Sequence, residues 1–401
     1  MKKLVPILIL FLIAFTGATA QETDAAKKDM AKLIDEQFKF AALQYKVLSK
    51  NVPADVMPKT FNAKSNKVET SSTKWWCSGF FPGSLLYIYE YTKDAEIRGE
   101  AEKRLAILKK EKHYKGNHDL GFMMYCSFGN AYRLFGKPDD KATIDTAAAS
   151  LATRYRPSIN AIQSWDSSAN FKCPVIIDNM MNLELLNWVS DNGGNPRYKE
   201  IAIIHANTTL QNHYRPDYSA YHVLDYDLAA GKVARKKNHQ GAFDSSAWAR
   251  GQAWGFYGYT MMYRFTKDKR YLQQAKNIAG FLMNHPNLPE DKIPYWDYNA
   301  PNIPNALRDA SAGAIMASAF LELGQYVKGK EKKQYVSIAE KMIRTLSSDR
   351  YRSKLGDNGG FILQHGVGHL LGNSEVDQPL TYADYYFLEA LKRYNDWYLK
   401  N

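Results

Sequence analysis

Cys173-Pro174-Val175-Ile176-Ile177-Asp178-Asn179-Met180-Met181-Asn182-Leu183-Glu184-Leu185-Leu186-Asn187-Trp188 is apolar on almost every face a helix could present, yet it carries a carboxylate where the apolar run begins. A helix that is apolar all round belongs inside a multi-helix assembly rather than on its surface. Asp178, at the start of that run, has two readings. It can be an N-cap, accepting backbone N–H groups of the first turn, which needs no function. Or it can be a carboxyl held in low-dielectric surroundings, its pKa raised until it serves as a general acid near neutral pH.

Working outward, the same character returns along the chain. From Asp24 to Ser49 apolar residues recur every three or four positions, which predicts a long amphipathic helix. After a polar connection from Asn51 to Thr73, Trp75-Trp76-Cys77-Ser78-Gly79-Phe80-Phe81-Pro82-Gly83 opens a nearly all-apolar helix reaching Tyr91, and the more polar Ala95 to Lys110 follows. Asp119 to Phe135, Asp178 to Val189, Ser246 to Phe265 and Asp309 to Val327 repeat the apolar type. Lys141 to Arg154, Tyr198 to His213, Tyr271 to Asn284 and Lys332 to Leu346 repeat the amphipathic type, and Pro379 to Tyr394 closes the chain. The turns between partners resemble one another: Tyr91-Thr92-Lys93-Asp94, Phe135-Gly136-Lys137-Pro138-Asp139 and Phe265-Thr266-Lys267-Asp268. Self-similar helix pairs at intervals of some tens of residues are the mark of a repeat array. About twelve helices, buried and one-sided by turns, predict an all-α fold of six hairpins closed into an (α/α)6 barrel, with an open superhelix as the alternative.

The connections are unequal. Those entering the apolar helices are long and rich in Trp, His, Asp, Asn and Gly, and those leaving them are short. Polar residues placed just before the apolar helices therefore converge at one end of the ring: Trp76, His118, Asp119, Asp178, Arg250 and Asp309. Asp119, in Gly116-Asn117-His118-Asp119-Leu120-Gly121-Phe122, is a second carboxylate at a helix start, again either a cap or a functional acid. Paired carboxyls with pKa values pushed apart are the usual means of glycosidic-bond chemistry. His222 lies in a long loop followed by His239-Gln240-Gly241. Further on, Ala249-Arg250-Gly251-Gln252-Ala253-Trp254 sets an arginine and a tryptophan on one helical face. Arg250 either offers its planar fork to a ligand carboxylate or pairs with an acid such as Asp309.

The remaining composition narrows the class. Lys2 and Lys3, the apolar Leu4 to Phe15 and the small-residue site Ala18-Thr19-Ala20 read as a cleavable export leader over residues 1–20, leaving 21–401 as a single catalytic domain that is periplasmic or secreted, with no membrane anchor. The formal charge of +12 falls to +10 without Lys2 and Lys3, which favours an anionic ligand. The basic residues are dispersed rather than striped, which argues against nucleic acid. Cys77, Cys126 and Cys173 are odd in number and lack metal-ligand spacing, so buried free thiols and no metal site are expected. No phosphate loop is present and no cofactor is called for.

In order along the chain, Trp-x-Ser-Gly-Phe-x-Pro-Gly, His-Asp-Leu-Gly-Phe, Ile-Asp-Asn-Met-Met-Asn-Leu, Trp-Ala-Arg-Gly-Gln-Ala-Trp, Asp-Ala-Ser-Ala and Tyr-Ala-Asp-Tyr-Tyr-Phe-Leu-Glu-Ala-Leu resemble the unsaturated glucuronyl hydrolases of glycoside hydrolase family 88, over about residues 30 to 397. The resemblance implies an (α/α)6 barrel acting, without cofactor, on lyase-generated oligosaccharides whose non-reducing end is a 4,5-unsaturated uronic acid. It implies Asp178 as general acid/base and Asp119 as its partner. It implies Trp76, His118, Trp165, His222, Gln240, Arg250 and Trp254 around the unsaturated sugar. Some members hold sulfate on the adjoining sugar with Ser-x-x-Ser-x-Lys. Here the matching stretch is His369-Leu370-Leu371-Gly372-Asn373-Ser374, without that Lys, leaving His365 and His369 as possible anion ligands. Two other readings are an unsaturated rhamnogalacturonyl hydrolase of pectin fragments and a carbohydrate-binding toroid without catalysis.

Overall fold

A computed structural model describes the backbone of residues 5–400 and the side chains of 25–400. The leader expected over residues 1–20 lies outside the described side chains. Among the described residues, twelve α-helices alternate between an inner and an outer layer: α1 (Val5–Asn51), α2 (Phe80–Thr92), α3 (Ala95–Leu108), α4 (Asn130–Phe135), α5 (Pro138–Ala152), α6 (Asn179–Asp191), α7 (Arg197–Asn212), α8 (Ala249–Thr266), α9 (Lys269–Asn284), α10 (Ala310–Leu323), α11 (Gly329–Leu346) and α12 (Thr381–Tyr394). Even-numbered helices are inner and odd-numbered helices outer. Every residue of α10 is buried, whereas α11 buries only the stripe Tyr335, Ala339, Met342, Ile343 and Leu346. That difference is the one between a helix packed on all sides and one packed on a single face.

The ring closes. α2 packs on the π-helical segment Gly121–Gly129 that runs into α4, that segment packs on α6, α6 on α8, α8 on α10, α10 on α12, and α12 returns to α2. An open superhelix is thereby excluded. The similar short turns share one local chemistry. Lys93 (φ 61°) and Lys267 (φ 56°) end their helices in the left-handed region, and Thr92 and Thr266 hydroxyls accept the N–H of Asp94 and Asp268 at 3.3 and 3.2 Å. Those aspartates then cap α3 and α9. In the third such turn Gly136 takes the left-handed position and Pro138 starts α5.

Two features depart from the sequence reading. The helix expected over Asp119–Phe135 winds as a π-helix before becoming α4. The long entry loops, read as irregular, hold small antiparallel sheets: β1 (Met57–Asn62) with β2 (Lys67–Ser71), β3 (Tyr155–Arg156) with β4 (Ala161–Ile162), β5 (Pro174–Ile176) with β6 (Val223–Asp227) and β7 (Lys232–Lys237), and β8 (Gly366–His369) with β9 (Ser374–Gln378). Strands this short carry too little periodicity to be told from loop in sequence. The cysteines are free as expected; Cys77 and Cys173 are buried and Cys126 partly so.

At the end of the ring away from the long loops, charged residues of all six inner helices form an ion-pair circuit. Arg133 of α4 pairs with Glu90 of α2 at 2.6 Å, and Lys392 of α12 reaches the same glutamate at 2.9 Å. Arg393 of α12 contacts Glu322 of α10 at 3.1 Å, and Arg264 of α8 joins Glu322 (2.8 Å) to Glu184 of α6 (2.5 Å). Between α4 and α6 the link is aromatic, with Tyr132 and Trp188 edge to face at 5.5 Å. Removing one member of a buried pair leaves an uncompensated charge. Arg264→Met is therefore expected to lower unfolding stability by about 3 kcal/mol, and denaturant titration that finds Arg264→Met as stable as wild type would contradict this circuit's role.

Candidate functional site

Asp178 directly precedes α6 with helical backbone angles (φ −55°, ψ −27°), and its side chain makes no capping hydrogen bond. Of its two sequence readings, the cap is the one the structure rejects. Its Oδ2 is buried with no hydrogen-bond partner among the described residues. The cap reading is instead true of Asp309, whose Oδ1 accepts the Ser311 N–H at 3.0 Å. Asp119 enters the neighbouring inner element, its N–H donating to Asn117 Oδ1 at 3.0 Å and its Oδ1 3.3 Å from His118 Nε2.

Burial pushes both carboxyls up to about 7. For Asp178 the Arg250 charge works against that rise and the nearby Asp119 charge adds to it. The low-dielectric surroundings read from sequence are thus the main cause, and like-charge repulsion ranks behind them. A raised pKa does not by itself mark a site. Asp384 of α12 is also pushed up to about 7 by burial, but it accepts the Ile362 and Leu363 N–H groups and the Tyr45 hydroxyl, so it is a structural carboxyl. Asp178 has no such saturation.

The expected residues gather round this pair. His222 Nδ1 accepts the Gln240 N–H at 3.1 Å, which puts the proton of the neutral ring on Nε2, 3.6 Å from Asp178 Oδ2. Its burial favours that neutral form by lowering the pKa. Trp254 is fully buried, stacks obliquely on Phe122 at 5.0 Å and faces Asp178. Trp76 packs on Phe122 and on Tyr382 at 5.6 and 4.9 Å. Trp165 lies further out, bridged through its backbone to Asn117, with its ring against Phe171 and His239. His118 is buried and held neutral, its pKa lowered to about 3 by desolvation.

Of the two sequence readings of Arg250, the structure shows the pair with Asp309 rather than a free fork. One terminal nitrogen donates to Asp309 at 3.1 Å and to the Val367 carbonyl, and the other to Gln240 Oε1 at 2.8 Å and the Gly368 carbonyl at 2.6 Å. Only Nε has no partner among the described residues. The guanidinium also lies over Trp248 and Tyr382, 4.6 and 5.2 Å from their centroids. Arg250 therefore supplies positive charge and one N–H, and it fastens the β8–β9 hairpin to the rim. The two loop histidines separate: His369 Nε2 meets the His239 carbonyl at 3.0 Å at the mouth, while His365 pairs with the exposed Asp377 at 2.7 Å.

Sequence reasoning passed over Tyr382, Trp248, Asn179 and Asn182. Tyr382 stands at the start of the last inner helix and obeys the rule that found the others. Asn182 lies one turn beyond Asp178 on the same face, a spacing visible in sequence. Among the described residues no cluster of His, Cys, Asp or Glu is arranged to hold a metal, and no helix is long and apolar enough to cross a membrane.

A closed ring of six helical hairpins with two neighbouring, desolvated carboxyls at one mouth defines a glycosidase of the (α/α)6 type. The profile of Glycosyl Hydrolase Family 88 matches residues 50–397, and the chain belongs to that family. It is 41% identical, over the whole of both chains, to an unsaturated glucuronyl hydrolase of Formosa agariphila. A solved unsaturated glucuronyl hydrolase specific for heparin superposes with a TM-score of 0.88 at 46% identity, covering 91% of this chain and 97% of that one. An unsaturated chondroitin disaccharide hydrolase of Streptococcus pyogenes is 32% identical over 94% of each chain.

Because the unfolded carboxyl titrates near ~4 and the folded Asp178 near 7, the folded state holds the extra proton between these values, and stability falls as pH rises through that window. Asp178→Asn removes this loss, which over the roughly three pH units between these values is about 4 kcal/mol. Its melting temperature is expected to match wild type near pH 4 and to exceed it by a few degrees at pH 8. Parallel melting curves across that range would disprove the raised pKa.

Proposed function

We propose that this chain is an unsaturated glucuronyl hydrolase that removes the 4,5-unsaturated uronic acid from the non-reducing end of lyase-generated glycosaminoglycan oligosaccharides. The observation that carries the reading is Asp178, a buried carboxyl at the mouth with no cap bond and no ion pair, protonated near neutral pH, beside Asp119. The C4=C5 bond of the substrate is an enol ether. Asp178 gives its proton to C4, and the C4=C5 electron pair forms the new C–H bond, leaving an oxocarbenium-like centre at C5. Water adds at C5 and returns a proton to Asp178. The resulting C5 hemiketal opens by breaking C5–O5, its hydroxyl proton passing to O5, so that C5 becomes a ketone and C1 a hemiacetal. That hemiacetal then breaks its bond to the glycosidic oxygen and passes its hydroxyl proton there, leaving an aldehyde at C1 and the free leaving sugar. Asp119, as the anion, stabilises the positive centre, while the buried Arg250 attracts the uronate. Trp76, Trp165, His118, His222, Gln240 and Trp254 enclose the ring.

Heparin-type disaccharides are the preferred substrates in this reading. The solved relative that supports it is named as specific for heparin, and His369–Ser374 lacks the closing Lys of the sulfate-binding segment. The leader over residues 1–20 would place the enzyme in the periplasm or outside the cell.

The test follows the ultraviolet absorbance of the enol ether in disaccharides from heparin, chondroitin, hyaluronan and pectin lyases. Wild-type protein is expected to consume the heparin product fastest, and Asp178→Asn to lose about a thousandfold in kcat while remaining folded. Undiminished turnover by Asp178→Asn would remove Asp178 from the reaction. Preference for the pectin product would favour a rhamnogalacturonyl hydrolase, and ligand binding without turnover a non-catalytic toroid.

A further inference from the structure

One peptide group at the mouth, the link between His239 and Gln240, is held on both sides by a histidine. Its N–H donates to His222 Nδ1 at 3.1 Å. Its carbonyl oxygen lies 3.0 Å from His369 Nε2, and because a carbonyl only accepts, that nitrogen carries the proton. The Gln240 side chain is a third fixing point, its Oε1 accepting from Arg250 at 2.8 Å. His369 is itself built in. It pairs with Ser374 across the end of the β8–β9 hairpin, and Arg250 holds the two carbonyls that precede it. Its ring lies against Gly372, where a Cβ would stand 2.6 Å from Nδ1, so Nε2 is the nitrogen turned to the peptide. His222 is equally confined. Its carbonyl accepts the Ile177 N–H at 3.0 Å, and its ring lies 4.4 Å from that of Trp248. What remains open is which ring nitrogen bears the proton, and the partner at Nδ1 decides that. With the Gln240 N–H donating there, the neutral ring carries its proton on Nε2, the atom 3.6 Å from Asp178 Oδ2.

We infer that His369 is a positioning residue for the reaction, acting through the 239–240 peptide: by holding the carbonyl it keeps the peptide N–H on His222, and so keeps an N–H rather than a lone pair facing the acid. The inference rests on the function proposed above. Two hydrogen bonds at opposite ends of one amide reinforce each other, because charge drawn onto the oxygen makes the N–H a stronger donor. Without the His369 N–H, the carbonyl turns to solvent at the mouth. The peptide plane then rotates about its flanking bonds, the N–H leaves Nδ1, and the His222 ring is free to take the other tautomer. Burial favours the neutral form of His369. The single N–H of that form is spent on the peptide, so none is left for a sulfate group, the role its loop position suggests in sequence.

The test uses two replacements. His369→Phe keeps a ring beside His239 but has no donor, whereas His369→Gln loses the ring and brings an amide N–H to about the place of Nε2. Turnover is followed on an unsulfated and a sulfated unsaturated disaccharide. Imidazole nitrogen NMR reads the His222 tautomer, its signals assigned by their loss in His222→Gln. His369→Phe is expected to lose about tenfold in kcat/KM on both substrates and to show His222 as a mixture of tautomers. His369→Gln is expected to stay within about threefold of wild type, with the His222 proton on Nε2. Equal kcat/KM in the two variants, or a His222 tautomer unchanged in His369→Phe, would overturn the inference. So would a loss confined to the sulfated substrate, which would make His369 an anion ligand. A wild type inactive on every unsaturated disaccharide would refute the proposed function instead, and the His222 signals would still decide whether the peptide links the two histidines.

Discussion

The contact of α12 with α2 is what makes a mouth at all. Eleven helices stacked in order would give a curved sheet of hairpins with two exposed apolar ends. When the last inner helix returns to the first, those ends cover one another and the loops entering all six inner helices are forced to one rim. The closure is set by apolar packing along the ring and by the ion-pair circuit at its far end. Neither is local: Lys392 and Glu90, one of the pairs that join the ends, lie about three quarters of the chain apart.

Burial acts on acids at both ends of the ring, with opposite outcome. At the far end Glu322 is desolvated, yet Arg264 and Arg393 together hold its carboxyl down to about 2. At the mouth Asp178 is equally enclosed, but the nearest guanidinium spends its hydrogen bonds elsewhere and the neighbouring Asp119 is of like charge, so the carboxyl rises to about 7. The first arrangement holds helices together; the second has a proton to give at neutral pH. The protein separates stability from chemistry by where it lets arginines reach.

Arg250 joins the two themes. Its pairing with Asp309 links α8 to α10, and its bonds to the Val367 and Gly368 carbonyls hold the β8–β9 hairpin over the rim. A lysine there would keep a charge but could not make the four directed bonds to Asp309, Gln240, Val367 and Gly368 at once. The hairpin, and with it His369 at the mouth, is positioned by a residue whose own charge faces the acid pair.

The sequence by itself determined the alternation of buried and one-sided helices, the number of hairpins, the turn chemistry of Thr92-Lys93-Asp94 and Thr266-Lys267-Asp268, and the gathering of Asp119, Asp178 and Arg250 at one end. All of these are written in residue type and spacing along short segments. Tertiary structure alone decided that the ring closes, that Asp309 caps its helix and Asp178 does not, and that Arg250 is committed to Asp309 and two carbonyls. It also decided that Gly121 lets Asn182 of α6 come close enough to accept the Phe122 N–H at 3.0 Å. Each of these depends on which distant atom fills a hydrogen bond or a gap, and that partner is fixed only when elements remote in the chain pack together.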